Sequence, residues 1–336
     1  MDAFEYASPS TVKEAISLLG SDWEDASVFG GGTDLISLLK DDIVDTKRLV
    51  NIKKVGELHA IRNDNGALRI GAAVTLHQLL SESDVRKDYP VITGAAEGIG
   101  SPQIHNMATV GGWICQRPRC WYYRNGFGLL ALDKSGNSLV AQGDNRYHAI
   151  FGNSGPAKFV SPSSFGPALV ALDGKIHIEG PRGARDIAAD QFFVIPQKQG
   201  EREHALAPNE IVTEVTIPAA SRGMRNAMYE VRQKEGLEWP FVLAAVALRM
   251  RGNTVESARI VLGQVAPKPW PADEASKWLE GKTINEENAA KAGDAAAHGA
   301  TPLSRNGYKV QLVRVSVKRA LLAAVRERTN AAKGVA

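Results

Sequence analysis

The sequence predicts an α+β protein built in two parts. Three observations carry this. Short apolar strands alternate with helical segments up to about residue 220. Long strands joined by a tight turn follow. Helical patterns then close the chain.

The elements run in order. Thr11-Val12-Lys13-Glu14 reads as a capping box that opens a helix stopped near Gly20. Ala26–Phe29 is a short strand running into Gly30-Gly31-Gly32, and a helix follows from Thr33 to about Lys40. Arg48–Ile52 is another strand. Leu58–Arg62 and Ala67–Ala72 flank Asp64-Asn65-Gly66, a hairpin signal. A helix starts near Thr75. Ser101–Asn153 is rich in Gly, Arg and aromatic residues and shows little periodicity, so it reads as a long ordered loop. Ala168–Leu172 and Lys175–Glu179 flank Asp173-Gly174 and predict a second hairpin. Ile211–Ile217 is a strand ended by Pro218. Met228–Arg232, Phe241–Arg251 and Thr254–Gln264 read as long antiparallel strands, with Gly252-Asn253 as the turn between the last two. Pro267-Lys268-Pro269-Trp270-Pro271 should end the sheet. Helices are expected at Asp273–Leu279, from Glu286 to about Ala297, and from Asn306 to about Arg328. The division between the parts is expected near residues 219–224.

Composition excludes several classes. The 336 residues are 44% hydrophobic and 23% charged, ordinary for a globular chain. A net charge of +3 with no basic tract gives no footprint for nucleic acid or an anionic membrane. No apolar run is long enough to span a bilayer, and the first residues do not read as a secretory signal. Cys115 and Cys120 are the two cysteines, too few for a disulfide framework. These features lead us to expect a cytoplasmic protein.

Chemistry concentrates at two glycine-rich turns. In Phe29-Gly30-Gly31-Gly32-Thr33-Asp34-Leu35 a strand enters, glycines turn and a helix leaves. Such a turn can point backbone N–H groups at a phosphate, and it can equally be a plain strand-to-helix connection. Thr109-Val110-Gly111-Gly112 is a second turn with a threonine. Together the two could grip both halves of a pyrophosphate, as a dinucleotide requires. The spacing fits neither a Rossmann fingerprint nor a Walker loop. The seven histidines show no metal spacing. Glu235 and Glu238 could form a carboxylate pair, though a solvated loop is the plainer reading. Arg117, Arg119 and Arg124 form a basic, aromatic cluster that could bind a phosphate or a partner's acidic surface; in a charge-balanced chain a partner surface or internal pairing is the favoured reading.

In these strings the chain resembles the molybdopterin dehydrogenase FAD-binding family, the flavin subunits of molybdenum hydroxylases of the xanthine dehydrogenase type. Gly31-Gly32-Thr33-Asp34-Leu35 looks like its first flavin motif, and Ile70-Gly71-Ala72-Ala73-Val74-Thr75 like its second element. Ser101–Gly112 resembles its Ser-Pro-Gln-Ile-Arg-Asn and Thr-Val-Gly-Gly-Asn motifs. Pro167–Leu172 resembles a later strand, and Val261–Pro269 a hallmark of its C-terminal domain. The run Gln116–Arg124, with Gly143–Gly152 downstream, is most similar to the aldehyde-oxidoreductase branch.

The resemblance implies a two-part FAD-binding domain of the vanillyl-alcohol-oxidase (PCMH) type over residues 1–220. Its subdomains would be about 1–55 and 56–220, with an insertion at about 113–160. A C-terminal domain of the CO-dehydrogenase-flavoprotein type would cover 221–330. It implies FAD as cofactor and electron transfer as function. Electrons would come from a 2Fe–2S subunit, beside a large subunit holding the molybdenum cofactor, and pass to NAD, oxygen, a quinone or another acceptor. Co-export to the periplasm with a partner is the alternative location.

The cofactor contacts implied are Phe29, Gly30, Gly31, Gly32, Thr33, Asp34 and Leu35, then Thr75, Ser101, Thr109, Gly111, Gly112 and Trp113, and finally Ser164. No acid–base residue is assigned, because the flavin supplies the chemistry. Some relatives hold a 4Fe–4S cluster in the insertion with four cysteines; with two cysteines none is expected here. Three positions depart from the family pattern. His105 replaces its Arg, Trp113 its Asn, and Ser164 the acidic residue expected before Pro167-Ala168-Leu169. These departures keep open a flavin-free subunit that bridges its partners. A free-standing oxidase would need a substrate base, and no candidate stands out.

Overall fold

The computed structural model describes residues 1–233 and 239–326. Three sheets organise them. The first is parallel, in the order β1-β3-β2, from Glu5–Ala7 (β1), Ser27–Phe29 (β2) and Arg48–Asn51 (β3). Parallel neighbours need crossover connections, and the helices Val12–Ser17 and Leu35–Lys40 lie in them. Leu49 and Val50 on the central strand are fully buried.

The second sheet is antiparallel, in the order β4-β5-β8-β6-β7. Its strands are Ile61–Asp64 (β4), Ala67–Gly71 (β5), Lys175–Gly180 (β6), Gly183–Ala188 (β7) and Ile211–Ile217 (β8). The Asn65-Gly66 turn forms as expected, with both residues at positive φ. The third sheet, β12-β11-β10-β9, uses Arg225–Val231 (β9), Val242–Arg251 (β10), Thr254–Gly263 (β11) and Trp270–Pro271 (β12).

The third sheet is buried on both faces, which explains the unbroken apolar run of β10. Val242, Ala244, Val246 and Leu248 face a core shared with the helices Asp273–Leu279, Glu286–Ala296 and Tyr308–Val325. Ala245 and Ala247 join the core of the second sheet instead. The C-terminal sheet is therefore wedged against the preceding half by the same strand that holds its own helices.

Four expectations need correction. Ala168–Leu172 is no strand: Phe165–Ala171 is a helix, with Phe165, Ala168 and Leu169 fully buried. A short apolar run buried all round has no diagnostic period. Asp173-Gly174 is accordingly no hairpin turn. Asp173 takes a left-handed φ of 59°, its N–H donates to the Val170 carbonyl, and the Gly174 N–H reaches back to the Leu169 carbonyl at 2.7 Å. That is a Schellman helix stop. The second hairpin joins β6 to β7 around Pro181-Arg182. The long loop contains the short helices Pro102–Met107, Val110–Cys115, Trp121–Arg124 and Leu139–Gln142. Their lengths are too small to show a period. Finally, Trp270–Pro271 extends the third sheet as an edge strand on β11 rather than ending it. Glu235 and Glu238 lie outside the described residues.

Candidate functional site

The two glycine turns, far apart in sequence, meet face to face. A Cβ placed on Gly30 would lie 2.8 Å from the Thr109 Oγ1, and one on Gly31 would lie 1.7 Å from the Met107 carbonyl oxygen. No side chain fits at Gly31. Gly32 is at φ +72°, and a Cβ there would strike the Phe29 ring. The glycines thus serve close backbone approach and a left-handed turn together.

The turns differ in what their N–H groups do. Those of Gly31, Gly32 and Thr33 have no acceptor among the described residues. Those of the second turn are engaged. Gly111 donates to the Ala72 carbonyl at 2.8 Å, and Gly112 to the Thr109 hydroxyl at 3.2 Å. Thr109 is the N-cap of the helix Val110–Cys115. The expected pyrophosphate grip through backbone N–H groups is therefore available at the first turn. At Gly111 and Gly112 it gives way to helix capping and sheet contact.

A cavity of about 230 Å³ opens between the turns, lined by Gly30–Leu35 on one side and by Thr109, Gly111 and Gly112 on the other. A second, of about 290 Å³, shares Thr33, Asp34, Gly112 and Gln116 with it and continues past Trp113 and Ser164. The two form one elongated trough. Glycine walls, unclaimed N–H donors and an extended shape fit a dinucleotide with its pyrophosphate at the first turn.

Not every expected contact lines this trough. Phe29 packs behind its loop, under the Lys53 ammonium at 5.0 Å. The Thr75 hydroxyl accepts from the Gln78 N–H and completes a capping box. Ser101 caps the helix Pro102–Met107. All three lie outside both cavities. Trp113 stacks on Phe165 with centroids 4.6 Å apart and is 5% exposed. Its role is chiefly packing, with the indole forming part of the second cavity's wall. Ser164 makes no cap bond to its own helix and lines the second cavity. His105 turns away and bonds the Ala96 carbonyl at 3.1 Å.

Asp34 has a role that spacing did not reveal. Its carboxylate accepts from the Arg117 N–H at 2.8 Å and pairs with Arg119 at 3.0 Å and Arg124 at 2.9 Å. Arg117 also pairs with buried Glu203, and Tyr123 lies beneath Arg117 and Arg124. Of the readings of this basic cluster, internal pairing is the one observed. It straps the insertion to the first glycine turn. Burial, reinforced by Arg124, pushes the Arg119 guanidinium below its ordinary value. Burial raises the free thiols Cys115 and Cys120 to about 12 and about 11, so both stay protonated at neutral pH.

Sequence reasoning also missed Gln264 and Lys309. Gln264 sits at φ 63° and donates to the Pro162 carbonyl at 3.0 Å. Lys309, 1% exposed, donates to the Tyr147 and Gln264 carbonyls. Its place on the mostly apolar buried face of the helix Tyr308–Val325 was the one available signal. Among the described residues no group of His, Cys, Asp and Glu could hold a metal ion, and no helix is long and apolar enough to cross a membrane.

Fold and trough together define a flavoprotein-type dinucleotide binder with an appended sheet-and-helix domain. Residues 2–220 match the family described as the FAD binding domain in molybdopterin dehydrogenase, and residues 227–324 match the CO dehydrogenase flavoprotein C-terminal domain. The chain belongs to this family of FAD-binding subunits. It is 30% identical to the carbon monoxide dehydrogenase medium chain of Hydrogenophaga pseudoflava, covering 96% of each chain. It is also 30% identical to the aldehyde oxidoreductase FAD-binding subunit PaoB of Escherichia coli, over 94% of this chain and 96% of that one. The solved carbon monoxide dehydrogenase of H. pseudoflava superposes with a TM-score of 0.74 at 29% identity, covering 96% of this chain and 97% of that one.

Proposed function

We propose that this chain is the FAD-binding electron-transfer subunit of a molybdenum hydroxylase of the xanthine and aldehyde dehydrogenase type. The observation that carries the reading is the meeting of Gly30–Thr33 with Thr109–Gly112 across one trough, with unclaimed N–H donors on the first turn. When bound, the flavin supplies reversible electron uptake and release. The chain's own residues would do the rest. Gly31, Gly32 and Thr33 would donate to the pyrophosphate, and Ser164 would meet the linker to the ring. Trp113, packed on Phe165, would keep water from that wall. Asp34 would hold the insertion over the turn through its arginines.

In this reading a 2Fe–2S small subunit delivers the electrons and a molybdenum-cofactor large subunit performs hydroxylation. The name medium chain, carried by relatives, presupposes a larger and a smaller companion. The acceptor is NAD, oxygen, a quinone or another oxidant. We place the domain division near residue 220, and the aldehyde-oxidoreductase branch rests on the Gln116–Arg124 run.

The test is the visible absorbance of the purified chain, with the released nucleotide identified by mass. Flavin bands near one per chain, from FAD, support the reading. A colourless chain after incubation with excess FAD and its partner subunits would sink it and favour the flavin-free bridging subunit.

A further inference from the structure

Two buried amides on the trough's second part each have a spare oxygen. Gln116 and Gln264 are 7% and 4% exposed, and both line the cavity of about 290 Å³. The Gln116 Nε2 donates to the Trp113 carbonyl at 3.1 Å and to the Pro162 carbonyl at 3.5 Å. The Gln264 Nε2 donates to the same Pro162 carbonyl at 3.0 Å. A carbonyl only accepts, so each amide must turn its nitrogen to the backbone and its oxygen elsewhere. Neither oxygen has a hydrogen-bond partner among the described residues, and neither is sealed inside packed protein. Gln116 also lines the trough's first part, beside the glycine turns, whereas Gln264 lines the second part alone of the two.

The backbone at Gln264 sharpens the contrast. Its φ of 63° is left-handed, a region that favours glycine over a residue with a long side chain. Backbone contacts hold the turn from more than one side. The buried Lys309 ammonium donates to the Gln264 carbonyl at 2.8 Å. The carbonyl of Val265 accepts from the Ile150 and Phe151 N–H groups at 2.8 and 3.0 Å. None of these bonds needs a side chain at position 264, and a glycine would make them all without strain. What the glutamine adds is an acceptor on the cavity wall, oriented by Pro162. A strained residue at a ligand cavity, carrying a group the backbone does not require, points to contact with the ligand.

An oxidised isoalloxazine has a single N–H, at N3 on its pyrimidine edge. A fixed amide oxygen on the wall suits that one donor, which would otherwise lose its water without replacement. We infer that Gln264 is the residue that positions the flavin ring, its Oε1 accepting from N3–H while Pro162 keeps the amide from turning. The inference rests on the flavin reading and deepens it: with the pyrophosphate at the first turn, the flavin half lies in the second part of the trough.

The experiment titrates the apo form of the full chain with FAD and with FAD methylated at N3, following binding by calorimetry. Gln264→Met keeps the length of the side chain and removes the acceptor. Gln264→Gly removes the side chain and relieves the left-handed φ, so it checks that any loss does not come from a strained variant. Gln116→Met is the control on the neighbouring amide. The unaltered chain should prefer FAD over the methylated form by about tenfold or more. Both Gln264 variants should bind FAD about tenfold more weakly and lose most of that preference, since the analogue and the variant remove the same bond. Gln116→Met should keep the preference. Circular dichroism checks that each variant is folded. The inference is overturned, with the flavin reading left standing, if FAD binds with no preference over the methylated form. It is equally overturned if the preference survives in the folded Gln264 variants or is lost in Gln116→Met instead. A chain that binds neither flavin overturns the inference and the flavin reading together.

Discussion

The two glycine turns look alike in sequence and do different physical work. In the first turn Gly31 and Gly32 find no acceptor for their N–H groups among the described residues, and the glycines answer to backbone contact with Met107 and to a left-handed φ at Gly32. Thr109–Gly112 has its N–H groups bound, by the Ala72 carbonyl and by its own threonine. In the proposed reading one turn presents donors to a ligand; the other is the abutment that holds it in place. A glycine motif thus reports close approach first, and ligand contact only where its donors are left unclaimed.

The sharpest way to break this comparison is a matched pair of substitutions. In Gly31→Ala the new methyl would overlap a backbone carbonyl, which no rotamer change can relieve. We expect the two turns to part and FAD affinity to fall by about 100-fold or more, near 3 kcal/mol. Gly111→Ala meets Ala72 at 3.0 Å, a contact that a small shift can absorb. It should cost about 1 kcal/mol of stability and change FAD affinity less than about tenfold. Equal losses in titrations of the two apoproteins would erase the distinction.

The strap above the first turn comes next. Asp34→Asn leaves Arg119 and Arg124 without their carboxylate while keeping the side-chain shape. A loss of about 2 kcal/mol is expected in urea unfolding, because these partners are only slightly exposed. An unchanged midpoint would mean that the insertion is held by other contacts.

An acid-sensitive contribution should appear outside both turns, at His148. Burial, helped by the Lys309 charge, lowers its pKa from 6.5 to about 4. The unfolded chain therefore binds a proton that the folded chain refuses, so stability falls as the pH drops from 6.5 towards 4. His148→Gln should flatten that slope in denaturation curves taken across the window. A parallel slope in the variant would assign the acid sensitivity elsewhere.

The smallest effects separate the threonines. Thr109→Ala and Thr75→Ala each remove a helix N-cap, at about 1 kcal/mol. Thr109 touches the first turn and Thr75 lies outside the trough. FAD affinity should consequently drop several-fold in the first variant and hold in the second. A comparable drop in Thr75→Ala would return that residue to the site.

Much of the fold could be read wherever a period or a turn residue spoke clearly. The antiparallel strands around Gly252-Asn253, the hairpin at Asn65-Gly66 and the helix Asp273–Leu279 are of this kind. Phe165–Ala171 was misread because burial on every side erases the period, and the Schellman stop at Asp173-Gly174 has the same letters as a hairpin. Within the candidate site, the glycines and Thr33 that line the trough had been singled out from local composition. The Asp34–arginine strap, the Arg117–Glu203 pair and Lys309 join residues distant in the chain, and a single sequence carries no signal of such pairings.

By itself, then, the sequence determined the α+β class, the two glycine turns and the family resemblance, because these rest on local backbone preference and short motifs. Tertiary structure alone decided which N–H groups remain open, which charges are strapped together and where the cavities lie. Those depend on packing between segments, where a carbonyl from one loop, such as that of Met107, sets what another loop can be.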